Sequence, residues 1–390
     1  MTRKEQRKVV LEGMKQNKAY SYLMLLALVS VAGLQAWRTL FNNFAVDEVS
    51  LGGLAVGTIQ SVRELPGLLT FLVVFFLLLF REHRFAAWAI VLMGAGLAVT
   101  GFFPSLTGLL LTTFVFSLGF HYFETVNKSL TLQHFSTDES PHMLARYKSY
   151  GAIINILVGI LIWFIAGYVA MKFIYLAFGI IIMVLGAYAL TDKRNLDVVI
   201  KQRKRLFFRK KYWLYYLLSF LSGARRQVFV VFAVFMLVKK YDFTVQQVSI
   251  LYIVNNLLTF FIYPYIARGI ARFGERKMLT LEYSSLFLVF LGYAFIEQVW
   301  LVVALYVIDH IFFGFTMGIN TYFQKVADPQ DVAPSVSTAY AINHISAVVI
   351  PVIGGALWLL NWRIPFIAGA AIALVSLFFV QKIRVVRKNT

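Results

Sequence analysis

Residues 39–46 read TLFNNFAV, and residues 227–234 read QVFVVFAV. The two stretches lie about 188 residues apart, close to half the chain of 390. Three further pairs follow in the same order at nearly the same offset. LPGLLTFL from Leu65 matches NNLLTFFI from Asn255, SYGAIIN from Ser149 matches AYAINH from Ala339, and GILIW from Gly159 matches GGALW from Gly354. One such match is expected by chance in apolar sequence. Four in order at nearly one spacing indicate an internal duplication.

Composition fixes the solvent of the duplicated unit. The chain is 60% hydrophobic and 14% charged, against roughly 45–50% apolar and about 25% charged in soluble domains. Apolar runs near the ~20 residues needed to cross a bilayer recur along the whole length. Backbone groups in lipid must bond within their own segment, so these runs read as helices. They are too long and continuous for the short alternating strands of a β-barrel. Charged punctuation places about twelve spans, near 20–45, 49–80, 85–104, 106–133, 146–168, 171–191, 213–238, 244–267, 278–296, 298–324, 335–360 and 364–381. The fold class expected is an all-α polytopic membrane protein.

The repeats are separated by DKRNLDVVIKQRKRLFFRKK, residues 192–211. The expected organisation is a basic arm over 1–19, a six-helix bundle over 20–191, a basic linker over 192–212, a second bundle over 213–381 and a basic tail over 382–390. The net charge is +19. The arm, central loop and tail hold about half of all Lys and Arg, as cytoplasmic loops and lipid-facing basic clusters do. That distribution places both termini in the cytoplasm, with Lys239–Lys240 the exception on the opposite side. It argues for a lipid bilayer as the charged partner and against nucleic acid. MTRKEQRKVVLEGMKQNK at the start has no short apolar core with a cleavage site behind it, so no signal peptide is expected. The chain has no Cys, which removes disulfides and thiolate chemistry. No phosphate-cradling loop, metal-ligand pattern or Ser/His/Asp spacing is recognisable. The expectation is a non-enzyme with no cofactor and no metal.

With six plus six spans, a basic central loop and a parallel repeat, the chain resembles the major facilitator superfamily over its whole length. A local motif adds to the likeness. ARGIARFGERK from Ala267 resembles the superfamily's loop between the second and third spans of a half, with Arg272, Gly274, Arg276 and Lys277 in matching places. Ala267 replaces the usual first Gly, and Ala271 replaces the usual Asp. The equivalent loop of the first half, FREHRFAAW from Phe80, has lost most of the pattern. The resemblance implies two pseudo-symmetric bundles that rock about a midplane site, acting as a monomer in the cell membrane. It implies that the motif is a gating loop.

Arg38 lies inside the first span, and the repeat offset pairs it with Arg226 in the seventh. A cation at mid-helix costs about 2.5–3.5 kcal/mol on insertion scales, so both need compensation. The resemblance implies that both helices face the central cavity. Such a pair, with Arg225 beside it, could hold an oxyanion in the bidentate fork of guanidinium. Organophosphate–phosphate antiporters of the superfamily look similar in this respect. The alternative is structural: Arg38 pairs with a nearby carboxylate and Arg225 reaches toward an interface.

Other polar groups interrupt the spans. His121, Glu124 and Lys128 share one face of the fourth helix. Glu124 and Lys128 either neutralise each other, or Glu124 carries a coupling proton with His121 as relay. Asp309, beside His310 in the tenth span, either couples or caps and gates. Glu64, next to Arg63, is a candidate counter-charge for Arg38 or charge relay, and Pro66–Gly67 marks a break in that helix. Asn255, Asn256, Asn343 and His344 either contact a ligand or bond neighbouring helices.

Three functions follow, the first preferred. It is secondary active transport of a small solute, an organic or phosphorylated anion, by proton coupling or exchange. The second is proton-coupled export of lipophilic or cationic compounds. The fifth span, NILVGILIW from Asn155, lacks the Gly-Pro motif that drug exporters of the superfamily often carry there. The third is a receptor or lipid-handling protein that transports nothing.

Overall fold

A computed structural model describes residues 12–13, 15–77, 79–135, 139–192, 196, 208–328 and 331–384. Most of the expected basic arm, linker and tail lies outside the described residues. The described chain is helical. In the first half the helices are α1 (Ala19–Asn43), α2 (Gly53–Leu68), α3 (Glu82–Thr100), α4 (Leu106–His134), α5 (Glu139–Ile165) and α6 (Met171–Leu190). In the second half, α7 is Trp213–Gln227, continued through Val228–Ala233 into Val234–Tyr241. Next come α8 (Val245–Phe273), α9 (Glu275–Phe295) and α10, built from Val299–Phe312 and Thr316–Val326 around a tight 3₁₀ turn at Phe313–Phe315. Finally come α11 (Val332–Leu360) and α12 (Ile364–Val380).

Ten described helices are long and apolar enough to cross a membrane. The other two spans expected from sequence are α12, which is shorter, and the segment near 49–80, which is interrupted. There α2 carries Pro66 inside its last turn, gives way to a 3₁₀ turn at Leu69–Leu72, and resumes as Val73–Phe76. Proline removes an i→i−4 hydrogen bond and crowds the preceding turn, which accounts for the break just beyond Pro66–Gly67. Helix α8 runs to Phe273, past the expected end near 267. Arg268 and Arg272 stop the apolar run there without stopping the helix.

The duplication is visible in the packing. In the first half α1 packs on α5 and α6, and α3 on α4 and α6; in the second half α7 packs on α11 and α12, and α9 on α10 and α12. Each pair of the first set maps onto one of the second by a step of six helices. The likeness reaches local geometry. Helix α1 loosens into a π-helical stretch at Phe44–Glu48, and α7 does so at Val228–Ala233. Both overlap the repeated sequence that pairs residues 39–46 with 227–234.

By contacts the chain divides into two compact units. The first contains Met1–Ser50, Leu65–Gln202 and Thr244–Ile253, and the second Leu51–Glu64, Arg203–Phe243 and Val254–Thr390. Most of α2 therefore counts with the second unit, and its end in that unit, Glu64, immediately precedes the proline-marked break. In the second unit α2 crosses α11 closely. Ser61 Oγ donates to the Val348 carbonyl at 2.6 Å, and a Cβ placed on Gly57 would meet the Pro351 carbonyl oxygen at 2.2 Å.

Candidate functional site

Arg225 leaves α7 on a face that is wholly enclosed. The side chain is 1% exposed, its Nη2 lies 3.3 Å from Glu282 Oε1 on α9, and its Nη1 lies 3.5 Å from Asp309 Oδ1 on α10. Both carboxylates have no exposed surface. The guanidinium also faces the Phe313 ring, 5.8 Å from its centroid, at the turn that interrupts α10. Three apolar helices thus each contribute one ionisable group, and the groups meet. A charge alone in such surroundings is costly, whereas a hydrogen-bonded ensemble recovers part of that cost. The recovery is incomplete. Arg225 Nε, Glu282 Oε2 and Asp309 Oδ2 are buried and find no hydrogen-bond partner among the described residues. Tyr283, Tyr293 and Tyr306 are fully buried on the same two helices, α9 and α10.

Arg226 is the next residue on α7, so it points about 100° away. It is half-buried. Its Nη2 donates to Asn343 Oδ1 on α11 at 2.6 Å, and Asn343 Nδ2 donates back to the Ser219 carbonyl of α7 at 3.4 Å. Among the described residues Arg226 forms no ion pair. His344, beside Asn343, brings its Nδ1 to 3.3 Å from Glu64 Oε2 and meets the Tyr340 ring edge-on with centroids 4.6 Å apart. The other oxygen of Glu64 accepts from Arg63 Nη2. Neighbours on a helix rarely face each other, yet here they pair, one turn before the break that follows Pro66. The second unit therefore gathers Arg63, Glu64, Arg226, Asn343 and His344 within α2, α7 and α11. Two guanidinium groups stand there against one carboxylate.

Asn255 on α8 is 1% exposed, and neither polar atom of its side chain has a partner among the described residues. Asn256 is half-buried. In the first unit, Arg38 is exposed between Trp37 and Thr39, which are both buried. Trp37 stacks on Phe41 and on Phe116 of α4. Glu124 and Lys128 are exposed on α4, while His121 is buried. Ionisable groups in membrane spans turn toward the bundle interior or water rather than lipid. By that preference Arg38, Glu124 and Lys128 are expected to turn away from lipid.

The loop between α8 and α9 turns at Gly274, whose φ of +86° suits a residue without Cβ. Arg276 Nε and Nη2 both donate to Gln381 Oε1 beyond α12, each at 3.1 Å. Arg272 lies over the Phe273 ring, and Lys277 is exposed. With Ala271 in place of an acid, the buried carboxylate here is Glu275, which pairs with Lys325 of α10.

The sequence matches the profile of the Major Facilitator Superfamily over residues 21–341. The chain belongs to that superfamily. Solved structures share its fold. The nucleoside transporter NupG superposes with a TM-score of 0.75 at 14% identity, covering 94% of this chain and 99% of its own. A bacterial homologue of the iron transporter ferroportin, in its inward-facing state, gives 0.74 at 13% identity, with 94% and 98% covered. A bacterial homologue of the human lysosomal transporter Spinster, inward-facing and occupied, gives 0.74 at 10% identity, with 94% and 97% covered. At these identities the likeness concerns the fold. No curated protein sequence matches the chain.

For this superfamily member, sequence reasoning missed Glu282. The available signal was a lone acid in TLEYSSLFLVF, residues 280–290, an otherwise uncharged stretch of span. The sequence also treated Arg225 and Arg226 alike, although one is enclosed by carboxylates and the other is not.

Proposed function

We propose that this protein is a secondary active transporter of small organic anions, carboxylates or phosphate esters, working by alternating access in the cytoplasmic membrane. Superfamily membership supports transport. One observation supports an anion: Arg226 is a half-buried guanidinium in a membrane span whose partner is a neutral amide. Its neighbour Arg225 already has two carboxylates at ion-pair distance, whereas among the described residues Arg226 bonds to Asn343 and meets Glu64 only through longer-range attraction. A guanidinium keeps five donors in a fixed fork and gains most from a bidentate oxyanion. An anionic solute would add negative charge where the helices set one carboxylate against two guanidinium groups. Asn343 holds the fork in place, and His344, Glu64 and Arg63 border it with a net positive balance. Arg38, the repeat-related cation exposed on α1 of the first unit, carries the same expectation by symmetry.

The test is a thermal-shift screen of the purified protein at constant ionic strength. It compares phosphate, phosphate esters, carboxylates, amines and neutral nucleosides. A ligand that binds the folded state at about 100 times its Kd adds roughly 2.7 kcal/mol to stability. Stabilisation by one anion class is expected, lost in Arg226→Ala and weakened in Arg226→Lys, whose point charge lacks the fork. Equal stabilisation of Arg226→Ala by the same anions would remove the assignment.

A further inference from the structure

The cluster of Arg225, Glu282 and Asp309 does not balance as a set of charges. One guanidinium faces two carboxylates, all three with at most 1% of their side-chain surface exposed. With both acids ionised, the cluster carries one net negative charge inside an apolar bundle, where an uncompensated charge costs several kcal/mol. From this geometry we infer that the cluster is a binding site for one exchangeable proton, shared between Glu282 and Asp309. The atoms available to hold it are on the page. Glu282 Oε2 and Asp309 Oδ2 are buried acceptors without a partner among the described residues. A carboxyl that takes up the proton becomes a hydrogen-bond donor and leaves the other carboxylate as the sole counter-ion of Arg225.

Among the described residues, Arg225 is the cation that pairs with Glu282 and Asp309. From α7 the cluster meets Arg225, with Arg226 turned away toward Asn343. From α9 and α10 it meets Tyr283, Tyr293 and Tyr306, with His310 next to Asp309 in sequence. The His310 ring lies among Phe229 and Phe313. Helix α12, which packs on α9, contains no ionisable side chain. The remaining acids of α2 and α9, Glu64 and Glu275, are engaged with Arg63 and His344 and with Lys325. Among the described residues no group of three or more His, Cys, Asp or Glu is placed to hold a metal ion. Arg225 already sets a cation against both acids, which disfavours a metal ion there.

The position of the site gives the proton a use. Arg225 and Arg226 are consecutive on α7, separated only by Gln227 from the π-helical stretch at Val228–Ala233. A change in the hold of the acids on Arg225 is therefore transmitted along one helix to the proposed solute-binding guanidinium. This use rests on the transport reading above. The presence of the proton does not.

Infrared difference spectroscopy of the full-length protein in detergent tests the presence without any solute. Between alkaline and mildly acidic buffer, the wild type should show a protonated-carboxyl band equivalent to one proton per protein, shifted in heavy water. Glu282→Gln and Asp309→Asn should each change that band, and the double variant should abolish it. Tyr293→Phe, which removes only a buried hydroxyl near Asp309, should move its frequency while leaving its amplitude; this reading serves if the amide variants do not fold. An unchanged band in the double variant would overturn the inference, as would a frequency indifferent to Tyr293→Phe where the double variant cannot be made. A wild-type band displaced at fixed pH by sodium chloride but not by choline chloride would replace the proton with sodium and also overturn it. A positive result here with no solute stabilising the protein would leave the proton site standing and defeat the transport reading alone.

Discussion

Arg225 is the residue whose removal should cost most, because among the described residues it is the cation that stands between two buried acids. Truncating one partner of a buried ion pair typically costs about 3–5 kcal/mol, since it strands the other charge. Arg225→Met should therefore lower the unfolding temperature sharply or prevent folding. Arg225→Met combined with Glu282→Gln and Asp309→Asn should recover most of the loss, because the triple variant contains no stranded charge. Unfolding followed by intrinsic fluorescence decides between outcomes. A triple variant no more stable than Arg225→Met would mean that the cluster does not act as one unit. The same contrast explains what was legible here in one dimension. Arg38, Arg226, Asn343, His344 and Glu64 stand out as polar interruptions of apolar spans, and they are readable without coordinates. That Glu282, rather than Glu64 or Glu124, meets Arg225 depends on which helices pack against α7, and residue spacing does not encode it. Nor does spacing separate adjacent arginines, until the 100° helical step sends one to carboxylates and the other to an amide.

The elements divide between those written as hydropathy and those written as packing. The apolar runs announce most helices, and Pro66–Gly67 announces the interruption that follows α2. The π-helical stretches at Phe44–Glu48 and Val228–Ala233 have no such sign, because FAVDE and VFVVFA contain neither Pro nor Gly. They show only when the wider helical turns are seen at corresponding places in α1 and α7. π-bulges concentrate at functional sites, and the α7 stretch begins one residue beyond the two arginines, after Gln227. The crossing of α2 and α11 is likewise a matter of contact. A Cβ on Gly57 would sit 2.2 Å from the Pro351 oxygen, whereas one on Gly52 meets nothing within 4 Å. Gly57→Ala should then destabilise the protein by about 1–3 kcal/mol, as overpacking does, despite the helix propensity that alanine adds. Gly52→Ala should lie within about 0.5 kcal/mol of wild type. Denaturation of the two variants side by side checks this, and equal stability would show that the α2–α11 approach yields easily.

For the whole molecule the dominant quantity is charge, +19 over 390 residues. Part of the intramembrane share is locally engaged: Arg225 with two acids, Arg63 with Glu64, Lys325 with Glu275. The excess resides mainly in the sequence outside the spans, in the arm before Ala19, the 192–211 stretch and the tail after Val380. We propose that these segments lie on the cytoplasmic side, as an even number of spans and the positive-inside bias would have it. Anionic headgroups there attract juxtamembrane cations at about 1 kcal/mol per residue near the surface, within a Debye length. The protein should thus melt at higher temperature in nanodiscs containing phosphatidylglycerol than in purely zwitterionic ones. The difference should shrink as salt rises from about 0.01 to 1 M and the Debye length falls from about 30 to 3 Å. A variant with Arg203, Lys204 and Arg205 replaced by Gln should lose part of the gain, since those three cations are consecutive in the basic stretch between the repeats. A lipid effect that persists unchanged at 1 M salt would have to arise from tail packing rather than headgroup charge. It would remove the electrostatic argument for the orientation of the chain.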